Sequence, residues 1–223
     1  MSIKLIIEAI LKFILGIILV GLLIFIPAGT INYLNGWIFM GVLFTPMFIA
    51  GIIMMIKDPN LLRRRLDAKE EQGEQRKVVA ISGLMFISGF ILAGLNYRFS
   101  WYILPNYIVI ISAIIFLLSY VLYGLVLKEN SYLSRTIKVD KEQKVIDTGV
   151  YKIIRHPMYL ATIFLFLSMP LILGSLISFI IFLMYPFLII KRIKNEEEVL
   201  EKNLNGYKEY KNKVKYKLIP FIW

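Results

Sequence analysis

Six stretches of this chain are apolar over lengths suited to lipid: residues 3–28, 37–56, 78–95, 102–127, 158–173 and 175–193. A helix rises about 1.5 Å per residue, so roughly 20 apolar residues cross a hydrocarbon core about 30 Å thick. Hydrophobic residues make up 58% of the chain and charged residues 18%. Soluble domains run near 45–50% and about 25%, so a soluble fold of this length could not cover its apolar surface. The expected architecture is all-α: a polytopic transmembrane bundle of about six spans. The last two form a helical hairpin around Gly174, and its first arm is short for a full crossing. The first run, with Lys4 ahead of it, superficially has the look of a signal peptide. It is too long and has no small-x-small cleavage site, so it is expected to remain as a helix.

Charge placement gives the topology. Lys4 and Lys12 lie in the first segment, seven Lys/Arg fall within 57–77, seven within 128–155 and nine from Lys191 onward, leaving Arg98 alone out of 26. With six spans every rich segment falls on one side, and the positive-inside rule puts both termini in the cytoplasm. Tyr33, Trp37, Tyr97, Trp101 and Tyr102 then form an aromatic belt at the opposite interface. The net charge of +11 is interleaved with acids between apolar runs. That fits loops facing anionic headgroups rather than a nucleic-acid surface. Glu8 and Lys12, four apart, share a helix face and can pair. The run Arg63-Arg64-Arg65 with Asp67, Glu70, Glu71 and Glu74 is most simply a solvated helix between two spans, though it can also meet phosphate headgroups.

The absence of cysteine removes disulfides, thiolate metal sites and a Cys nucleophile. A single histidine, His156, rules out a multi-His centre, so no metal is expected. There is also no Gly-x-Gly-x-x-Gly, Walker A or Gly-x-Ser-x-Gly motif.

Three polar features remain. In Gly149-Val-Tyr151-Lys-Ile-Ile-Arg155-His156-Pro157-Met-Tyr159, Pro157 favours an extended His156 and suits the first turn of a helix. Arg155 and His156 therefore stand where free N–H groups and a guanidinium would attract a carboxylate or phosphate, or else form a positive flank before a span. Glu196-Glu197-Glu198 follows the last apolar run. These residues either favour a helix N-terminus, or offer a carboxylate to ribose hydroxyls or a cationic ligand. From Asn195 to Tyr216, Leu200, Leu204, Tyr207, Tyr210 and Val214 recur three or four apart, as in an amphipathic cytoplasmic helix. Tyr207 and Tyr210 then either present aromatic faces to a base or sulfonium or anchor that helix at the headgroups. The terminal Leu218-Ile-Pro-Phe-Ile-Trp223 is expected to dock at the interface.

Taken in order, the Arg155-His156-Pro157 motif, the Glu196-Glu197 pair after a hairpin, and Gly206-Tyr207-x-x-Tyr210 closing on Ile219-Pro220 resemble the isoprenylcysteine carboxyl methyltransferase family and its phospholipid methyltransferase relatives. The likeness is strong over about residues 130–223 and weaker before that. It implies a membrane enzyme that uses S-adenosylmethionine, with residues 1–127 as a four-helix transmembrane region and 128–223 as the catalytic region. By position, Tyr151, Arg155, His156, Pro157 and Tyr159 would line the cofactor site near its methionyl end. Glu197, with Glu196 beside it, would bind the nucleoside or orient the reacting groups, which makes Arg155 and Glu197 the catalytic candidates. Tyr207 and Tyr210 would form a lid. The implied acceptor is a lipophilic molecule, bearing a carboxylate or amine, that enters between helices from the membrane.

Two rivals stand beside this reading. A membrane NADPH-dependent reductase of the sterol C14-reductase type carries a similar Arg-His-Pro segment and ending, but the acidic pair favours the methyltransferase. A small transporter or scaffold is disfavoured, because the middles of the spans hold almost no charge while the polar features gather at one face.

Overall fold

The computed structural model describes residues 3–67, 73–137, 139 and 142–223, and among them every regular element is helical. The helices are α1 (Ile3–Ala28), α2 (Leu34–Lys57), α3 (Pro59–Leu66), α4 (Gly73–Phe99) and α5 (Asn106–Glu129), then α6 (Pro157–Ile172), α7 (Leu176–Phe182), α8 (Tyr185–Asn203) and α9 (Tyr207–Lys213). Among the described residues five segments are long and apolar enough to cross a membrane, α7 and α8 counting together, and α6 is a shorter apolar helix. The chain is an integral membrane protein, and the Glu8–Lys12 pair forms at 2.6 Å.

Three boundaries differ from the sequence expectation. The run 175–193 is not one helix. Pro186 stands in the first turn of α8, where its missing N–H would otherwise leave a carbonyl of the preceding turn without a partner. So α7 stops at Phe182. At the other end α8 does not stop where the apolar residues do. Lys-Asn-Glu-Glu-Glu-Val-Leu-Glu-Lys is a run of good helix formers, and the helix continues to Asn203. The segment 195–216 is thus two helices, split where Gly206 takes φ 82°, a left-handed conformation that favours glycine. Leu204, Tyr207, Tyr210 and Val214 of this segment are buried with Tyr151 and Val126 in one apolar cluster. Lastly, the segment 57–77 is not one solvated helix. The Asp58 carboxylate caps α3 by accepting from the Leu61 N–H at 2.9 Å, Leu61 and Leu62 are buried, and α4 begins at Gly73. Glu70 and Glu71 lie outside the described residues.

The hairpin turn shows how deep α6 reaches. Tyr33, between α1 and α2, donates its hydroxyl to the Leu173 carbonyl, and Leu104, between α4 and α5, donates its N–H to Gly174 O at 3.5 Å. The tip of the hairpin therefore lies level with both loops of the aromatic face, while the start of α6 lies at the opposite end. At that opposite end Lys12 of α1 reaches the Leu66 carbonyl of α3 at 2.8 Å. Gly94 lets the backbones of α4 and α1 approach closely, since a Cβ there would sit 2.5 Å from the Ile24 carbonyl.

Candidate active site

His156 caps α6 with φ −124° and Pro157 occupies its first turn, as the sequence predicts. The chain's last segment lies alongside, with Arg155 N–H donating to Tyr216 O and His156 N–H to Lys217 O, both at 2.9 Å. Backbone N–H groups expected to be free for an anion are therefore largely used: those of Tyr159 and Leu160 also donate, to the His156 carbonyl.

Glu197 is the hub of this end. Its Oε1 accepts from Arg155 Nε at 2.8 Å and from His156 Nε2 at 3.1 Å, and Lys217 Nζ stands 3.3 Å from Oε2. A carboxylate only accepts, so His156 carries its proton on Nε2. Arg155 Nη1 also donates to the carbonyls of Val214 at 2.6 Å and Lys215 at 2.9 Å. Arg155, His156 and Glu197 are all buried. The cluster thus ties the start of α6, the middle of α8 and the C-terminal segment into one unit. The Glu196–Glu198 triplet lies inside α8, twelve or so residues on by roughly 1.5 Å each, so its charges do not serve a helix N-terminus.

Consecutive residues of a helix point about 100° apart, and the acidic pair divides accordingly. Glu197 faces the buried cluster, while Glu196 faces a cavity of about 440 Å³. This volume lies in the range of small-molecule sites. One face of α8 lines it from end to end: Tyr185, Ile189, Arg192, Glu196 and Leu200, spaced three or four apart. Val79, Gly83 and Phe86 of α4, and Met158, Thr162 and Phe166 of α6, form the facing walls.

The cavity has three levels. Its floor is aromatic, with Phe166 packing on Phe86 at 4.8 Å and on Tyr185 at 4.5 Å. At the waist the Tyr159 hydroxyl donates to Glu196 and accepts from Arg192 Nε at 3.0 Å. Arg65 and Arg135 line the same level. Arg65 donates to the Ser134 carbonyl at 3.3 Å and to the Tyr123 hydroxyl, and Arg192 Nη2 donates to the Arg135 carbonyl at 2.5 Å. The roof is made of Tyr151, Leu204, Tyr207 and Tyr210. Tyr210 donates to the Tyr151 carbonyl at 2.8 Å, and the Tyr207 and Tyr210 rings lie 5.8 Å apart. Tyr207 is buried, and its hydroxyl has no hydrogen-bond partner among the described residues. Burial, then the nearby Glu197 and Glu196 carboxylates, raises its pKa above the ordinary phenol value, so the group stays protonated and able to donate.

The candidate site residues named from the sequence all lie at this end of the molecule. Tyr151, Arg155, His156, Pro157, Tyr159, Glu196, Tyr207 and Tyr210 line the cavity, whereas Glu197 lies behind them. Sequence reasoning missed Arg65, Arg135 and Arg192. For Arg192 a signal was present, since it sits one turn before Glu196 on the same face. For Arg65 the sequence offered only a basic run able to meet phosphate headgroups, and for Arg135 nothing, because only the fold brings α3 and the loop after α5 to the waist.

The fold and cavity define an integral membrane helical protein whose polar site opens at one end of its bundle and continues into apolar space. Residues 113–202 match the family model of the Isoprenylcysteine carboxyl methyltransferase (ICMT) family, consistent with an ICMT-family member and hence with a membrane methyltransferase. No curated protein matches the chain. The matched segment runs from α5 to the end of α8. It includes Arg155, His156, Tyr159, Glu196 and Glu197, and stops before Tyr207.

Proposed function

We propose that this chain is an S-adenosylmethionine-dependent methyltransferase acting on a lipophilic acceptor at the cytoplasmic membrane face. The observation that carries this reading is the unpartnered Tyr207 hydroxyl in the roof of a cavity that also holds Glu196 and ends in an apolar floor. A buried donor without a partner is costly, and a ligand acceptor atom beneath it removes that cost. The residues present fit the cofactor. The roof tyrosines and Leu204 offer flat apolar faces to a purine, and Glu196 offers a carboxylate to ribose hydroxyls or to an ammonium group. The tyrosine rings suit a sulfonium.

S-adenosylmethionine bound there would supply an activated methyl group. The work of the chain's own residues is positioning and exclusion of water. Tyr159, held between Glu196 and Arg192, fixes the direction of the Glu196 carboxylate. Arg155, His156 and Glu197 act as positioning residues that clamp the C-terminal segment and its α9 lid over the cavity. In this reading Glu197 does not touch the nucleoside, and Glu196 takes that role. Residues 128–223 form the catalytic region, with the earlier helices as its membrane frame. Both termini face the cytoplasm and α6 makes a sixth crossing. Lysine and arginine placement supports this topology, as does the position of the hairpin tip beside the aromatic loops.

Titration of the purified protein with S-adenosylhomocysteine and with NADPH tests the proposal. Saturable binding of S-adenosylhomocysteine is expected. Binding of NADPH alone would replace this reading with the reductase.

A further inference from the structure

The loop 217–223, just beyond the clamp on Arg155 and His156, is most exposed where it is most apolar. Phe221 is 88% and Ile222 76% exposed, more than the lipid-facing Leu11 and Leu15 of α1. Phe221 takes φ 66°, a left-handed conformation that a bulky side chain rarely adopts. The turn around it is closed by its own backbone. The N–H groups of Lys217, Leu218 and Ile219 donate to the Trp223 carbonyl at 3.0, 2.9 and 3.0 Å, and the Trp223 N–H donates back to Ile219 O at 3.0 Å. In water the exposed side chains do little to offset the strain at Phe221. In lipid they are buried, and a backbone satisfied within the turn meets the main demand that a bilayer makes.

Level and charge identify what covers the loop. The carbonyls of Tyr216 and Lys217 accept from the backbone N–H groups of Arg155 and His156, directly ahead of Pro157, where the apolar helix α6 begins. The loop therefore stands where polar chain gives way to an apolar helix, which in an integral membrane protein is the lipid–water interface. Lys213 and Lys215 are exposed on its flank, and Lys217 Nζ lies 5.0 Å from the centre of the Trp223 ring. Lysines beside an aromatic and aliphatic tip complement a surface of anionic headgroups over acyl chains.

We propose that Phe221 and Ile222 insert into the bilayer interface beside α6, and that this insertion holds the roof of the cavity in place. The link is the short segment between tip and roof. The Val214 N–H donates to Tyr210 O of α9 at 2.8 Å. The carbonyls of Val214 and Lys215 accept from Arg155 Nη1, and Lys217 Nζ stands 3.3 Å from Glu197 Oε2. Tip, clamp and α9 with its Tyr207 and Tyr210 are thus one unit. The consequence for the cofactor rests on the methyltransferase reading: a site roofed by these tyrosines is complete only when the loop is in lipid.

The chain has no cysteine, so a single one can carry a probe. Ile222→Cys and, on the exposed face of α9, Lys208→Cys are labelled with an NBD fluorophore in the full chain and placed in nanodiscs of phosphatidylcholine and phosphatidylglycerol. The probe at 222 is expected to be quenched by lipid doxylated near the headgroup and shielded from aqueous iodide, and the probe at 208 the reverse. Iodide quenching at 222 without lipid quenching overturns the insertion. Shielding from both overturns it too, since a protein surface then covers the loop. Hydrogen exchange in the same nanodiscs tests the link. Phe221→Asp should speed exchange of the α9 amides at least about tenfold, the size of one apolar side chain withdrawn from lipid. Phe221→Leu should stay near the parent, and the amides of α4 should not change, which separates loss of the roof from loss of the fold. Unchanged α9 exchange in Phe221→Asp overturns the link. S-adenosylhomocysteine affinity should fall about tenfold in that variant as well. A parent chain that does not bind S-adenosylhomocysteine sinks the methyltransferase reading alone, because quenching and exchange still decide the insertion.

Discussion

The first helix and the last two are solvated by different things. Within the most apolar stretch of α1 only 6% of residues are buried by the protein, against 33% for α4 and 28% for the α7–α8 segment. Leu11, Leu15 and Leu19 of α1 are more than half exposed and contact lipid in a membrane. At the other end Arg155, His156 and Glu197 are nearly inaccessible, and each is held by charged partners or backbone carbonyls. Lipid demands only that a side chain be apolar, so the first region constrains residue type loosely. Burial of charge demands particular partners at particular distances, so the second constrains identity strictly.

The strictest point should be Glu197. Glu197→Ala removes the acceptor for Arg155 and His156 together and leaves the buried Arg155 guanidinium without its counter-ion. The expected loss is about 3–5 kcal/mol, seen as a large drop in the unfolding midpoint in detergent. A midpoint close to that of the parent protein would show that the cluster is solvated and that the contrast between the two regions is wrong. Glu196→Gln and Tyr159→Phe, on the cavity side, should behave otherwise. Each removes a cavity-facing charge or hydrogen bond, so affinity for S-adenosylhomocysteine should fall about tenfold or more. The unfolding midpoint should move much less than in Glu197→Ala. If Glu196→Gln unfolds as readily, the division of labour between the two acidic neighbours fails.

That division marks the limit of what the sequence could tell. The apolar runs were legible because hydropathy depends on composition alone, and Pro157 announced the start of α6 through its fixed φ and missing N–H. The end of α8 was misplaced because loss of hydropathy is not loss of helix: nothing between Ile193 and Asn203 breaks one. The interruption at Leu183 and Met184 had its cause written nearby in Pro186. Glu196 and Glu197, however, are indistinguishable as letters. Only the rotation of α8 against α6 turns one to the cavity and the other to Arg155. Arg65 illustrates the same limit, since a basic run before a span reads as solvated until α3 folds back on the loop at Ser134.

Tyr207 gives a smaller effect. Its hydroxyl has no partner among the described residues, so Tyr207→Phe removes a group that their packing does not use. Stability should be unchanged or rise by up to about 1 kcal/mol, while S-adenosylhomocysteine binding weakens. A stability loss comparable with that of Glu197→Ala would mean that the hydroxyl is satisfied within the protein. It would also remove the main support for a ligand at the roof.

The smallest effect belongs to the lipid-facing helix, and it is the sharpest check on the comparison because intuition from soluble proteins points the other way. Leu→Ala in a soluble core costs about 2–5 kcal/mol through lost transfer energy and an unfilled cavity. Leu15 is 64% exposed, so in a bilayer or micelle its side chain exchanges contacts with lipid tails that are as apolar as itself. Truncation leaves no cavity, because the tails close over it. Leu15→Ala should therefore change stability by less than about 0.5 kcal/mol, measured by thermal unfolding in the same detergent. A core-like loss would mean that another protein surface, not lipid, covers this face of α1. The contrast between the two regions would then be one between two packed interfaces.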